Sequence, residues 1–348
     1  MITRESDISR PSDPRVAPDV VVVGAGLIGL AIALELHDRG GIVTVIERGR
    51  SLSGASIAAA GMLAAEDPHN PQELRQLSQL SAERYPAFLG RLEALSGIAV
   101  PFQTQTTVQY LADGATMHLQ ERSLDPRQLA TALLAAVRMT PIQLLEETQI
   151  AASEDASQGL KIRLTSGSEF TAGALIYTAG PWTTEVMTGL SCAAVPITPR
   201  KGQMIRVRLP AEMALGEVHR SEQIYIVPRT RGPQAGTALI GASVENAGFD
   251  TTVHPEALDA LRGLASELIP ALASEMDAPL VESWAGLRPA TPDLLPVLGA
   301  CERDRHFIAS GHYRNGILLA PATALVMVDL LEGKAPTLDI SAFSSWRF

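Results

Sequence analysis

The chain has 348 residues, enough to bury a large core and to form about two domains. Its net charge of −10 argues against a nucleic-acid partner, and no apolar run is long enough to span a bilayer as an integral segment. Only two cysteines occur, Cys192 and Cys301, with no metal-ligand spacing around them; this fits a reduced, cytoplasmic setting and small packing roles for both.

Residues 1–17 are polar, mix both charge signs and lack an apolar centre, which predicts a disordered tail and not a signal peptide. The apolar run Val20–Val23 then reads as a buried parallel strand. It breaks at Gly24, Gly26 and Gly29, in GxGxxG spacing, before a helix predicted over Leu27–Asp38. The first glycine allows a tight turn, the second a close approach to a pyrophosphate, and the third close packing of helix on strand. The helix start, with Leu27 and Ile28, turns unpaired amides and a positive dipole end toward the phosphates. A second strand, Ile42–Ile46, ends in Glu47, about 20 residues on, where a carboxylate accepts from a ribose hydroxyl and disfavours a 2′-phosphate. At this point FAD and NAD both remain open.

Further along, Ser53–Ala65 is rich in small residues, which suits either a tight core helix or backbone lying against a planar cofactor. Residues 72–96 carry apolar side chains at helical spacing, and Thr106–Leu111 alternates like a strand. Asp125 and Pro126 form an N-cap and first-turn pair opening an amphipathic helix. Strands are predicted at Gln143–Glu147, Leu160–Leu164 and Ala174–Thr178, the last resembling a second strand end of the cofactor domain. Between 195 and 245, short β runs separated by Pro and Gly predict an antiparallel sheet, followed by a helix over Pro255–Ile269. The stretch Arg305–Gly333 reads as strand, glycine turn and helix, completing the first domain from a distant part of the chain.

Several pieces together resemble the glycine oxidase branch of the FAD-dependent D-amino acid oxidase family: GAGLIGLAIALEL (24–36), AAAGMLAAE (58–66), KGQ (201–203), YIVPR (225–229), WAGLRPATPD (284–293) and GHYRNGILLAPATA (311–324). The resemblance implies an α/β fold: a Rossmann-like parallel-sheet domain for non-covalent FAD, and a second, mixed or antiparallel-sheet substrate domain. The boundaries expected are 18–80, 126–192 and 284–348 for the FAD domain, with 81–125 and 193–283 for the substrate domain. Two departures stand out. Only residues 112–124 bridge the strand near Leu111 and the next helix, where the family usually has a longer stretch, and Gln223 stands where close relatives often have histidine.

The resemblance also implies the chemistry: hydride transfer from glycine, sarcosine or a small D-amino acid to FAD, with oxygen as acceptor, giving an imine, then glyoxylate and ammonia, and hydrogen peroxide. Arginine suits a substrate carboxylate because its rigid fork meets both oxygens and its charge is permanent. Arg288 matches the carboxylate-binding arginine, Tyr225 the tyrosine that bonds the same group, and Arg314 a second substrate-side arginine. The same resemblance places Gly24, Gly26, Leu27, Ile28, Gly29, Glu47, Arg48, Ala55, Ser56, Ala60, Gly61, Met62, Ile150 and the run His312, Tyr313, Arg314, Asn315, Gly316, Ile317 and Leu318 at the cofactor. Val244 is expected on the pocket wall, Trp284 as a core aromatic, and His312 to touch flavin through its backbone and not to act as a base. A hand-off to thiazole synthase and a homo-oligomer are further expectations. Three alternatives compete with this reading: a quinone-linked D-amino acid dehydrogenase, a flavoprotein module without catalysis, and a covalent-flavin sarcosine oxidase, against which Cys301 lies outside the flavin motifs.

Overall fold

A computed structural model describes residues 19–348; the tail expected at 1–17 lies outside the described residues. The first half contains β1 (Val20–Val23), α1 (Leu27–Asp38), β2 (Val43–Ile46), α2 (Ala55–Ala58), β3 (Met62–Leu63) and α3 (Arg75–Ser96). Next come β4 (Phe102–Thr104), β5 (Thr107–Tyr110), β6 (Thr116–Leu119), β7 (Arg122–Leu124), α4 (Pro126–Arg138) and β8 (Gln143–Leu145). The chain continues through β9 (Ile150–Ala156), β10 (Gly159–Leu164), β11 (Glu169–Ala172), β12 (Ala174–Tyr177) and α5 (Thr183–Gly189). The last third holds β13 (Thr198–Arg208), β14 (Val218–Arg220), β15 (Tyr225–Arg229), β16 (Thr237–Gly241), α6 (Pro255–Leu268), β17 (Leu280–Ala290), β18 (Val297–Ala300), β19 (His306–Ser310) and α7 (Gly316–Leu331).

Two large sheets organise these elements. The first has the order β18-β19-β12-β1-β2-β8 and is parallel except for the edge strand β18. Its central strand β1 is buried along its whole length, which is why its sequence is an unbroken valine run without alternation. Helices α1, α3, α4 and α7 cover one face in a single apolar core. The parallel pairing of β12 with both β1 and β19 unites segments far apart in sequence, as the strand pattern predicts.

The second sheet runs β17-β13-β16-β15-β14-β5-β6, antiparallel but for the parallel β14–β5 pair. Strand alternation divides its faces. Ile205, Val207, Ile226, Ala238 and Ile240 pack on α6, whereas Met204, Tyr225, Trp284 and Arg288 belong to the opposite face, toward the first sheet.

Two expected boundaries are corrected. Residue 284 falls inside β17, which pairs with β13 from Thr198↔Ala290 to Val207↔Leu280, so residues 284–290 belong to the second sheet. Residues 81–96 are the body of α3, whose Tyr85, Leu89 and Leu92 are buried in the core with α1, α4 and α7, so they belong with the parallel-sheet domain. The short stretch 112–124 makes a tight hairpin turn through Gly114, then β6 and β7, and β7 pairs with both β3 and β4.

Candidate active site

Between the two sheets lies a cavity of about 1030 Å³, at the upper end of the volumes usual for small-molecule sites. Its floor at one end is the β1–α1 turn. Gly24 has φ +112°, and a Cβ there would sit 2.7 Å from the Thr178 carbonyl oxygen, so glycine is required on both counts. Gly29 does not line the cavity. A Cβ on it would collide with the Gly24 carbonyl, so its work is the close packing of α1 on the turn. Gly26 differs from both: a Cβ there meets nothing of the protein closer than Ser56 Oγ at 3.6 Å, and its open side is the cavity.

Leu27, Ile28, Glu47 and Arg48 line the same end. The Leu27 amide donates to Ser56 Oγ at 3.0 Å, while the amides of Gly26, Ile28 and Gly29 have no acceptor among the described residues. Glu47 accepts the Ala25 and Gly49 amides, one on each oxygen at 2.9 Å, which fixes the carboxylate and leaves lone pairs for a further donor. The Arg48 guanidinium stacks on Trp182, 4.4 Å from the ring centre, and Trp182 stacks in turn on Phe249. Ala55, Ser56, Ala60, Gly61, Met62 and Ile150 continue the wall, so the small-residue segment does face the cavity. Buried Arg229 props it from behind, donating to the Ala60 carbonyl at 2.8 Å.

Toward the second sheet, Tyr225, Arg288 and Arg314 all line the cavity. Arg288 donates to the backbone carbonyls of Ser243 at 3.1 Å and Lys201 at 3.4 Å, and has no carboxylate partner among the described residues. Gly202, across β13, makes room for it, since a Cβ there would collide with the guanidinium. Burial pushes the Tyr225 phenol up, with the charges of Arg288 and Arg314 pulling it back, so both guanidinium groups act on this one hydroxyl. Arg314 itself is exposed and its guanidinium lies 5.4 Å from the Tyr313 ring centre.

His312, Tyr313, Asn315, Gly316 and Ile317 line the adjoining wall; Leu318 does not, being buried at 1% exposure in the core of the parallel-sheet domain. His312 is buried with Nε2 3.1 Å from Thr323 Oγ1, and burial holds its pKa down to about 3. With a pKa that low it is a very weak base at pH 7, and its contact with Thr323 fits a structural ring. Val244, expected on the wall, is half exposed outside it, and Trp284 is a tie, its indole N–H donating to Ala58 O at 3.1 Å.

Sequence reasoning missed one end of the cavity. Arg220, Asp67, His69 and Asn70 line it, with Gln223 beside them. Arg220 is buried, pairs with Glu121 at 3.0 Å and Asp67 at 3.5 Å, and donates to Gln109 at 2.6 Å. Asn70 accepts from Asn315 Nδ2 at 3.1 Å, tying this loop to the entry of α7. Arg220 and Tyr225 are cross-strand partners, a register set by the turn between β14 and β15 that no motif in the sequence marks.

Residues 19–123 and 111–330 match the family described as FAD dependent oxidoreductase. The chain belongs to this family. It is 32% identical over 375 residues to the glycine oxidase of Geobacillus kaustophilus, covering 94% of this chain and 97% of that protein. It is likewise 32% identical to the glycine oxidase of Pseudomonas aeruginosa, over 93% of this chain and 98% of that one. A bifunctional protein ThiO/ThiG of Trichormus variabilis is 33% identical over 95% of this chain but 55% of its own length, so the chain spans about half of such bifunctional relatives. A crystal structure of the Geobacillus kaustophilus glycine oxidase superposes with a TM-score of 0.88, at 30% identity, over 95% of this chain and 99% of that one.

Family membership makes FAD the cofactor of this oxidoreductase, and the residues present fit it. The open side of Gly26 gives a pyrophosphate room to approach backbone, free first-turn amides of α1 can receive its charge, and the fixed Glu47 carboxylate can accept from a ribose hydroxyl. The wall from Ala60 to Met62 and the turn from His312 to Ile317 would flank the flavin end. The two cysteines are unbridged and buried, and among the described residues no cluster could hold a metal ion and no helix is long and apolar enough to cross a membrane.

Proposed function

We propose that this FAD-dependent oxidoreductase oxidises glycine, or another small amine or D-amino acid, to the imine, which water converts to glyoxylate and ammonia while oxygen is reduced to hydrogen peroxide. One observation carries the substrate class: a half-buried guanidinium, Arg288, on the cavity face beside Tyr225, held by backbone carbonyls and without a carboxylate partner among the described residues. Such a group attracts a carboxylate, and the fork together with the phenol holds it at two points, which fixes the direction of the substrate Cα–H bond. FAD, when bound, supplies the hydride acceptor and the route of electrons to oxygen. His312, held at a pKa of about 3, is too weak a base to take the amine proton. The amine must therefore arrive or become neutral without that ring.

The full-length match to two glycine oxidases supports glycine over larger amino acids. Relatives whose name joins a ThiO and a ThiG part support passing the product to thiazole assembly, and two unbridged cysteines support a cytoplasmic setting. Steady-state kinetics of Arg288→Ala test the reading: kcat/KM for glycine should fall by the equivalent of about 2–5 kcal/mol, mainly through KM. Unchanged glycine kinetics would remove the carboxylate assignment.

A further inference from the structure

The first turn of α7 reaches the cavity through Gly316 and Ile317, and the amides of Gly316, Ile317 and Leu318 have no acceptor among the described residues. That turn carries no acidic residue and no side-chain cap, so its positive end is not neutralised locally. It is also a turn with a built-in defect. Pro321 lies inside α7 and has no N–H, which leaves the Ile317 carbonyl, four residues earlier, without its helical donor.

Helix α3 supplies what is missing. The fully buried Tyr85 hydroxyl donates to the Ile317 carbonyl. On the next rung, the buried Ser81 Oγ donates to the Leu318 carbonyl at 2.6 Å and accepts from the Ala322 amide at 3.1 Å, bridging two groups that an ordinary helix would join directly. Donation to a carbonyl polarises its whole peptide, so the Tyr85 bond to Ile317 makes the Leu318 N–H at the other end of that amide a stronger donor. Leu318 N–H is one of the three free donors of the turn, and because Leu318 does not line the cavity it acts through the field of the helix end and not by contact.

We propose that Tyr85, through the Leu318 N–H, and Ser81, by closing the next rung and so holding the turn in place, are positioning residues that set how strongly the N-terminus of α7 stabilises negative charge on the reduced flavin. This rests on FAD occupying the cavity and not on glycine being the substrate. The test is the reduction potential of the holoenzyme, measured with xanthine and xanthine oxidase against a reference dye, for wild type, Tyr85→Phe and Ser81→Ala. Each variant should bind oxidised FAD nearly as wild type does. Its preference for reduced over oxidised flavin should fall by about three- to tenfold, tenfold being about 30 mV for a two-electron couple. Thermal midpoints of the apoproteins report any purely structural loss separately. Potentials equal to wild type in both variants, with only the midpoints lowered, would overturn the proposal, as would a shift toward easier reduction. Should Tyr85→Phe not yield folded holoenzyme, Ser81→Ala decides on the same criteria, and because no amine is used, failure of the glycine reading would show in a different experiment.

Discussion

Two glycines at the site illustrate opposite uses of a missing side chain. A Cβ at Gly202 would collide with the Arg288 guanidinium, so Gly202→Ala should displace the arginine and lower kcat/KM for glycine by on the order of 100-fold, through KM, with flavin content unchanged. A Cβ at Gly26 meets no protein atom closer than 3.6 Å, so Gly26→Val should leave the apoprotein's thermal midpoint nearly unaltered and weaken FAD binding by at least about 100-fold. Fluorescence titration with FAD checks the second, and tight binding by the valine variant would contradict the pyrophosphate assignment. Arg288 and Tyr225 were readable in the sequence because WAGLRP and YIVPR are distinctive strings. Arg220 was not, since VHR in β14 carries no motif and its partners Asp67, Gln109 and Glu121 are remote in the chain.

At the level of elements, β19 and the loop before α7 each hold a buried histidine, and both are kept neutral. Burial, reinforced by Arg303, lowers His306 to about 4, and burial alone lowers His312 to about 3. An unfolded histidine titrates near 6.5, so between that pH and the folded values the unfolded chain binds more protons. Stability should be fully present above about pH 6.5 and be lost as pH falls, by up to about 2 kcal/mol per histidine at pH 5. Thermal unfolding from pH 7 to pH 5 should show this slope, and His306→Gln and His312→Gln should each flatten it; an unaltered slope in both would contradict the assignment. Helix α1 matched its expected limits, Leu27–Asp38, because Gly26 and the Arg39–Gly41 turn punctuate both ends. Strand β17 was cut at residue 284 because its first residues, Leu280 and Val281, are exposed and its apolar positions do not alternate, and only its pairing with β13 reveals its length.

Over the whole molecule, the interleaving of the parallel-sheet domain from distant segments could be read from the sequence, because β1, β12 and β19 share one signature: an apolar strand closing on a glycine turn. The order of the second sheet could not, since antiparallel neighbours such as β13 and β17 are chosen by long-range packing that no local pattern records. The two sheets enclose a cavity with the β1–α1 turn at one end and Arg288, Tyr225 and Arg314 at the other, and the proposal is that glycine reacts there with FAD. Anaerobic mixing of the purified holoenzyme with glycine, followed by flavin absorbance and then by admission of air with a peroxide assay, tests this directly. Rapid bleaching by glycine and fast reoxidation with stoichiometric peroxide are expected, and a flavin that stays oxidised with glycine, sarcosine and D-alanine alike, or that oxygen reoxidises only slowly, would contradict it.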